Sequence, residues 1–514
     1  MSAEAVTLVD RRPPGHVFVV NGSVEHLRAE AVVVPTDRAF TVETSWHATF
    51  PGSSPPEVRP VDWQTTRAGQ AQEHPGVWFL DVARPTVHEV VAALDALLED
   101  IAGHLGRHRT DSRARPLIAV PTLGVRHGGF AHERGTLIHA LLDSGEAAAH
   151  AHGVDIVFVA RSRSAFSAFQ AVRRARARDR KDPAAAEGSR QRLLGRYVRE
   201  NRVALFVGAG VSMSAGLPSW KDLIKDLAAQ VGVTGIDTLA PLDQAQLLSA
   251  RSGGGLGTAV AQLLAAANPT GRHGVSHALL AGLRCREVVT TNFDLLLEQA
   301  VSDVHHSRPA VIVPSDDIRP DRPWLLKLHG DVNDSAGIVL TRGDFVRFAG
   351  SSAARGAVLQ ELMLTRHLLV VGASLTDDNV LRLAHEVMQL REHRVTTPIG
   401  TVLTLTPDPV RAALFEREFT FVAVDDGPAT DPEAARALEI ELDHIAMYAC
   451  SDASYLVDRD YDDLLNGVEQ RLAEQVRELA LQLDALDERR HFDSWRLLRR
   501  SLEEFGAGAG RRVD

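Results

Sequence analysis

Six short apolar runs between residues 202 and 426 limit the folds open to this chain more than any other feature. They are rich in valine and leucine, and most of them lack the alternation of apolar and polar residues that marks a half-exposed strand. Strands that are buried on both faces are typical of parallel sheets covered by helices. The runs therefore predict an α/β fold with a parallel sheet, and they read RVALFVGAG, REVVTTN, PWLLKLHG, HLLVVGAS, GTVLTLTP and FTFVAVDD.

The length of 514 residues exceeds what a single core usually holds, so we expect more than one domain. Residues 15–165 also alternate strand-like and helix-like segments, which predicts a second, smaller α/β domain. Residues 171–190 lose this periodicity and collect arginine. We therefore expect an N-terminal domain over 1–170, a linker over 171–190, a Rossmann-like domain over 191–465, and a helical extension with a disordered tail over 466–514.

Composition excludes several classes of protein. A hydrophobic content of 45% with 24% charged residues is ordinary for a soluble globular chain, and a net charge of −11 disfavours a surface built for nucleic acid. Cys285 and Cys450 are the two cysteines, so neither a disulfide framework nor a four-cysteine zinc module is expected. The sequence shows no apolar stretch near the ~18 residues of a membrane span and no signal peptide. We expect a cytoplasmic protein without a membrane partner.

Four of the apolar runs end in residues that can bind a ligand. Carboxyl ends of parallel strands meet at one edge of a sheet, where ligands of open α/β folds bind, and glycine there lets the backbone approach a diphosphate. A simpler alternative remains for Asn292 and Asp294, because both also suit the start of the helix that follows. The four segments are Gly208-Ala209-Gly210 with Ser212, Thr291-Asn292 with Asp294, His329-Gly330, and Gly372-Ala373-Ser374.

The order of these motifs, GAG-x-S, Thr-Asn-x-Asp, His-Gly and Gly-x-Ser, resembles the sirtuin family over about residues 190–465. The resemblance implies that NAD⁺ lies across the carboxyl edge of the sheet. It implies that Asn292 holds the nicotinamide ribose and the attacking water, that Asp294 accepts from the carboxamide, and that His329 acts as the base. The implied cofactor-binding residues are Gly208, Ala209, Gly210, Ser212, Thr291, Gly372, Ala373 and Ser374.

Cleavage of NAD⁺ asks little of a protein beyond such a site. Nicotinamide leaves readily because it already carries positive charge, and the oxocarbenium-like transition state needs dipoles placed in advance. A neutral imidazole can take a proton from water or a hydroxyl. No metal is required. Phe293 and Trp324 are candidates for an apolar surround that limits solvent.

The chain departs from sirtuin deacylases in three ways. It cannot form their four-cysteine zinc ribbon, Pro218 is followed by Ser219-Trp220-Lys221 where deacylases carry Pro-x-Phe-Arg, and His329 follows Asn292 by 37 positions. These departures resemble sirtuin-like NAD⁺ hydrolases of bacterial anti-phage defence. The resemblance implies NAD⁺ as substrate, cleavage to nicotinamide and ADP-ribose, and a regulated homo-oligomer that acts by abortive infection, with a partner defence protein as a further expectation.

Two alternatives stay open for the function. One is a sirtuin-type deacylase or ADP-ribosyltransferase, and the other is a noncatalytic sensor of NAD⁺ or ADP-ribose that scaffolds an assembly. For a metal site, His273 and His277 have helical spacing, but no third ligand is evident and a plain helix is the better interpretation. Asp377 and Asp378 are interpreted as acids at a helix N-terminus.

The N-terminal domain has some similarity to macrodomains, which bind ADP-ribose derivatives. Asn21-Gly22-Ser23 and Pro35-Thr36-Asp37 stand where that family has its first turns, although its asparagine pair is missing. The resemblance implies a nucleotide or ADP-ribose-derived ligand, whereas an assembly domain is the alternative. A later phosphate loop is predicted at Gly124, Gly128 and Gly129. The basic residues near Arg126 and His127 would suit a phosphate, and a surface turn explains them as well.

Overall fold

A computed structural model describes most of the chain, and every structural statement below refers to the described residues. These are 14–108, 113–124, 130, 132–305, 311–313, 315–317, 322–351, 353–375, 377–391, 397–428, 430–450, 453–485 and 493–506.

The N-terminal unit is a six-stranded sheet with helices on both faces. Its strand order is β1-β6-β5-β2-β4-β3, and every pairing is parallel except β3 with β4. The five longer strands agree with the strand-like segments predicted over residues 15–165, whereas the three-residue strand β3 had no apolar signal. The elements are β1 Val17–Asn21, β2 Ala31–Thr36, α1 Pro55–Val58, α2 Trp63–Thr66, β3 Ala68–Gln70, β4 Val77–Asp81, α3 Val87–Arg107, β5 Leu117–Pro121, α4 Arg134–His152, β6 Asp155–Ala160 and α5 Arg163–Asp179.

The second unit contains a seven-stranded sheet in the order β13-β12-β11-β7-β8-β10-β9, with every pairing parallel. The predicted parallel α/β fold is confirmed. Its elements are α6 Arg190–Arg199, β7 Val203–Val207, α7 Gly210–Met213, α8 Trp220–Val231, α9 Pro241–Arg251, α10 Leu256–Ala267, α11 Val275–Gly282, β8 Glu287–Thr290, α12 Leu296–Val304, β9 Val311–Val313, β10 Trp324–Lys327, α13 Arg342–Ser351, α14 Ala353–Thr365, β11 His367–Val371, α15 Asp378–Arg391, β12 Gly400–Thr404, α16 Pro409–Leu414 and β13 Phe419–Ala423.

Six short 3₁₀ turns and three further helices complete the description. The 3₁₀ turns are Val24–His26, Thr44–Thr49, Pro183–Ala185, Ile236–Thr238, Ser335–Gly337 and Arg459–Leu464, and the helices are α17 Pro432–Ala449, α18 Gly467–Asp484 and α19 Asp493–Glu504.

The strands at the centre of the second sheet are buried because they carry apolar side chains on both faces. All five residues of β7 are buried, and so are the four described residues of β8 and of β10. This explains the missing period-two alternation in the sequence. Helix α12 and the edge strand β9 fill the long interval between Asn292 and His329. That interval therefore adds the strand β9 to the edge of the sheet and not to its centre.

The structure corrects the prediction of a linker over 171–190. Residues up to Asp179 continue helix α5, and Arg173 and Arg176 on that helix form ion pairs with Asp443 and Asp143. The arginines are thus side chains of a packed helix, and the irregular connection is confined to the residues between α5 and α6. The domain boundaries themselves stay a prediction.

Helix α17 ties the two units together. On it, Asp443 contacts His16 and Arg173, and Arg436 donates to Asp155 at 2.8 Å. In α18, Leu483 is buried, whereas Leu472 is 48% exposed, so the leucines of this helix pack only in part. Residues 507–514, which hold nearly all of the predicted disordered tail, lie outside the described residues. None of the described helices combines the length and apolar character of a membrane span.

Candidate functional site

A cavity of about 980 Å³ opens at the carboxyl ends of β7, β8, β10 and β11. Its lining includes every residue that the sequence nominated for catalysis or cofactor binding, although the nominations came from four separate chain segments. Their individual roles stay predictions. They are Gly208, Ala209, Gly210, Ser212, Thr291, Asn292, Asp294, His329, Gly372, Ala373 and Ser374.

The two glycine loops of the cavity pack directly against each other. Gly208 N donates to Val371 O, and Gly210 N donates to Gly372 O, each at 2.9 Å. A Cβ on Gly208 would lie 2.5 Å from Gly372 O, and Gly372 has a φ of +69°, which side chains rarely adopt. Contact between the two loops therefore demands glycine at these positions before any ligand is considered.

The hydroxyl of Ser212 is the centre of the hydrogen-bond network under the cavity. Its Oγ donates to Asp294 Oδ2 at 2.8 Å and accepts from Asn292 Nδ2 at 3.0 Å. His277 Nε2 lies 3.3 Å from the same oxygen. Ser212 is 2% exposed, so this network is shielded from water, which makes each of its bonds stronger and each unmade bond more costly.

Within the described part of the chain, the side-chain amide of Asn292 has hydrogen-bond partners at its nitrogen but not at its oxygen. Its Nδ2 donates to Gly208 O at 3.2 Å as well as to Ser212, which directs the nitrogen into the protein. Its Oδ1 is buried and has no hydrogen-bond partner among the described residues. Buried polar atoms are rarely left in this state, and this one belongs to a residue that lines the cavity. The amide oxygen of Asn292 is therefore an acceptor available to a bound molecule.

Asp294 combines the two interpretations that the sequence left open. Its Oδ1 accepts from Leu296 N at 3.0 Å at the first residue of α12, as a helix-start residue does, while its Oδ2 faces Ser212. Burial raises the pKa of Asp294 even though the hydrogen bonds from Leu296 and Ser212 oppose that shift. The side chain of Asn292, in contrast, makes no such helix contact.

Lys327 is a site residue that the sequence analysis missed. It is 4% exposed on β10, and its Nζ donates to Asp294 O and to Glu298 Oε1, each at 2.6 Å. An ion pair of 2.8 Å to Asp331 completes its shell. The ammonium thereby fixes the backbone segment that carries Asn292 and Asp294. A single lysine inside the apolar run PWLLKLHG was the signal that could have revealed it.

His329 is oriented by a carboxylate from another loop. Its Nε2 lies 2.9 Å from Asp377 Oδ2, and its ring centroid lies 5.1 Å from that of Phe345. Burial alone would raise the pKa of Asp377, but the hydrogen bond and charge of His329 outweigh it and hold the pKa below its ordinary value. Asp377 also acts as the predicted helix-start acid, because its Oδ1 accepts from Asn379 N at 2.8 Å. That interpretation was incomplete, because it did not include the contact with His329.

The apolar part of the cavity differs from the expectation at one position. Phe293 lines the cavity, but Trp324 stands at the opposite end of β10 and is packed in the core. Trp220 takes part in the lining instead, because Ser219 accepts from Asp222 N and so starts α8 at Trp220. The Ser219-Trp220 pair, which replaces the deacylase motif, therefore caps a helix and supplies an aromatic wall.

A second cavity of about 600 Å³ lies at the carboxyl ends of β1, β2, β5 and β6 in the N-terminal unit. Of the predicted turn residues, Gly22, Pro35, Thr36, Asp37 and Gly124 line it. Asn21 does not, since its side chain bonds Ala160 O and Arg284. The other residues of the predicted phosphate loop, at 125–129, lie outside the described residues. The macrodomain resemblance stays a prediction.

The histidine pair occupies two different environments. His273 contacts Asp303 at 3.2 Å, whereas His277 is part of α11 and contacts Ser212. Within the described part of the chain, no cluster of three or more histidine, cysteine or acidic side chains has the arrangement of a metal site.

Comparisons with known proteins agree with this geometry. Residues 286–422 match the model of a SIR2-like domain. An NAD(+) hydrolase ThsA from Enterococcus faecium is 29% identical over 38% of this chain and 42% of its own length. Proteins of the same name from Bacillus cereus and Cytobacillus dafuensis are 27% and 26% identical, over 38% and 36% of this chain and 43% and 37% of their own lengths.

The chain thus spans less than half the length of each of these curated relatives. The matched SIR2-like segment carries Asn292, Asp294 and His329, together with the turn at Gly372. The geometry of the cavity and the comparisons therefore identify a SIR2-like region within this chain.

Proposed function

We propose that this chain hydrolyses NAD⁺ to nicotinamide and ADP-ribose. The observation that carries the proposal is the convergence of Asn292, Asp294 and His329 on one cavity whose other wall is built from two glycine loops. Similarity to proteins named NAD(+) hydrolase supports the same reaction.

The reaction needs one bond broken and one formed. The bond between C1′ of the ribose and the nicotinamide nitrogen breaks, and its electron pair leaves with nicotinamide. The oxygen of water bonds to C1′, and the proton that water loses passes to His329 and then to solvent. In this scheme the free amide oxygen of Asn292 accepts from the ribose or the water, and Asp294 accepts from the carboxamide.

The test is incubation of the purified protein with NAD⁺, followed by chromatography of the products. We expect free nicotinamide and ADP-ribose from the wild type, and no turnover from Asn292→Ala or His329→Ala with the fold retained. His385→Ala is the matched control, since that histidine is 67% exposed and lies outside the cavity lining. Intact NAD⁺ after incubation in every assembly state, with and without candidate activators, would contradict the proposal.

Product analysis also separates the two alternatives. A deacylase or ADP-ribosyltransferase would yield acyl-ADP-ribose or modified protein. In sirtuin deacylases the acyl-lysine enters between a four-cysteine zinc ribbon and the nucleotide domain, and the two cysteines of this chain cannot form that ribbon. A noncatalytic sensor would show calorimetric binding of NAD⁺ without turnover. The open acceptor on Asn292 beside an oriented His329 favours hydrolysis over both.

We place this activity in bacterial anti-phage defence, where depletion of NAD⁺ stops the infected cell. An enzyme that destroys NAD⁺ must be held inactive until infection, which supports regulation by self-association, a partner protein or a nucleotide signal. The expected result is a fall in cellular NAD⁺ after phage challenge in cells that carry the wild type but not Asn292→Ala. Light scattering with and without the activator measures whether turnover requires a larger assembly.

The cavity of the N-terminal unit is the proposed place for a nucleotide or ADP-ribose-derived signal. Its position at the ends of four strands supports this, as does the buried Glu25 Oε2, which has no hydrogen-bond partner among the described residues. Ala83 is an exposed residue of the lining, so Ala83→Trp should fill the cavity without disturbing the core. In calorimetry with ADP-ribose, Asn292→Ala should bind one more equivalent per chain than Asn292→Ala/Ala83→Trp, because the glycine loops of the larger cavity are intact in both variants. Equal binding would contradict the assignment.

A further inference from the structure

His277 stands directly behind the proposed catalytic residues but lines neither cavity. It is fully buried at 0% exposure, and its two ring nitrogens have different partners. Gly274 N lies 3.3 Å from Nδ1, and Ser212 Oγ lies 3.3 Å from Nε2. Ser212 in turn contacts both Asn292 and Asp294.

These contacts determine where the protons of the network lie. A backbone N–H can only donate, so Nδ1 of His277 is the acceptor for Gly274 and the ring proton belongs on Nε2. That proton points at Ser212 Oγ, which also accepts from Asn292 Nδ2. With its acceptor capacity used, the hydroxyl donates its own proton to Asp294 Oδ2.

The direction of donation explains why Asn292 presents oxygen and not nitrogen as its free end. Ser212 Oγ and Gly208 O both accept from Nδ2, which leaves Oδ1 as the atom without a partner among the described residues. A ring proton on Nδ1 instead would clash with Gly274 N–H and remove the donor from Ser212. Burial and the neighbouring His273 lower the pKa of His277 to about 3, so the ring stays neutral near pH 7.

We propose that His277 is a positioning residue for NAD⁺ cleavage: through Ser212 it orients Asn292 and Asp294 so that the amide oxygen and the carboxylate face the substrate. This rests on the proposed function. The imidazole contacts no reacting atom and exchanges no proton with substrate. Its contribution is the direction of one hydrogen-bond chain, whose loss should reduce kcat more than it changes KM.

Two substitutions at one position separate orientation from packing. His277→Phe keeps a ring but removes the donor, and we expect kcat to fall about 10-fold, the loss that corresponds to one buried hydrogen bond. His277→Gln keeps an N–H near the position of Nε2 and should restore most of kcat. His273→Gln is the control, because its ring contacts Asp303 and not Ser212. Equal losses in all three variants, or losses that follow the melting temperature, would show a merely structural role and overturn the inference.

A double-mutant comparison tests the route through Ser212. If His277 acts through that hydroxyl, His277→Phe should cost little in the Ser212→Ala background, whereas full additivity of the two losses would contradict the route. Wild-type turnover that disappears in Asn292→Ala, combined with wild-type kcat in His277→Phe, would reject this inference and leave the proposed function intact.

NMR spectroscopy tests the inference even if the purified protein shows no turnover of NAD⁺. In the ¹⁵N spectrum of the histidine-labelled 514-residue chain, the signals absent from His277→Gln belong to His277. They should report a neutral ring with its proton on Nε2 from pH 6 to pH 8. A proton on Nδ1, or titration within that interval, would overturn the inference whatever the activity is.

Discussion

At the scale of single residues, Asp377 shows how one side chain serves both structure and site. One oxygen starts α15 through Asn379 N, and the other orients His329. Sequence patterns reveal the first contact because it is local. The second joins residues 48 positions apart, and only the folded chain places them together.

We expect Asp377→Asn to lower kcat for NAD⁺ by about 10-fold or more, since hydrogen bonds to charged groups contribute about 1.5–3 kcal/mol. The orientation of His329 depends on that carboxylate, whereas the amide can present a donor to the same ring nitrogen. Steady-state kinetics measures the effect. Asp378→Asn is the comparison and should lose less, because the structure shows no contact between Asp378 and His329; an equal loss would argue against specific orientation.

At the scale of secondary-structure elements, the site depends on how two strand-exit loops pack. Gly372 and Gly232 have the same φ of +69°, but a Cβ on Gly372 would lie 2.6 Å from Val211 N, whereas nothing lies within 4 Å of a Cβ on Gly232. Substitution of Gly232 therefore measures the cost of the backbone conformation alone, whereas substitution of Gly372 adds the cost of a steric clash.

Gly232→Ala should cost about 1–2 kcal/mol in the free energy of unfolding, which is the cost of left-handed backbone for a side chain. Gly372→Ala should cost clearly more and should also weaken NAD⁺ binding, because the loops at Gly208 and Gly372 must separate. Urea unfolding and calorimetry measure both quantities. Equal destabilisation by the two substitutions would mean that loop contact contributes nothing beyond φ.

At the scale of the whole molecule, buried ion pairs join helix α17 to the N-terminal unit. Asp443 is 0% exposed and contacts Arg173 and His16, and Arg113 pairs with Glu439 at 2.6 Å. Burial would raise the pKa of Asp443, but the charge of Arg173 and the hydrogen bond from His16 hold it well below the ordinary value of 3.8. Helix α17 and the N-terminal unit are thus held against each other.

Asp443→Asn should lower the free energy of unfolding at pH 7 by about 3–5 kcal/mol, because it leaves Arg173 buried without its charge partner. A carboxyl group with a lowered pKa stabilises the fold above pH 3.8, and that contribution is lost as the pH falls below this value. The free energy of unfolding of the variant should therefore decrease less steeply with falling pH than that of the wild type. Asp143→Asn is the control, since its 69% exposed carboxylate on α4 pairs with Arg176, which lies on α5 as Arg173 does. Its loss should change the free energy of unfolding by under about 1 kcal/mol. Urea unfolding from pH 7 to pH 2 measures both, and similar curves for the two variants would contradict the role of the buried pair.

The amino-acid sequence alone was enough to predict the parallel α/β fold and the polar residues that stand at the strand ends. Buried strands need continuous apolar runs, and residues such as Asn292 and His329 stand out where those runs stop. Local spacing carries this information, so it can be read without coordinates. The short strands β3 and β9 were not predicted, because three residues are too few to show a hydrophobic pattern.

The contacts between polar groups, in contrast, follow from the three-dimensional fold. Asn292 and Ser212 are 80 positions apart, and His277 and Ser212 are 65 apart. Lys327 was invisible as a site residue because its partners are mainly backbone oxygens and acids brought close by strand pairing. A hydrogen bond forms only when donor and acceptor lie about 3 Å apart. The fold sets that distance between segments that are remote in sequence, so no linear pattern encodes it.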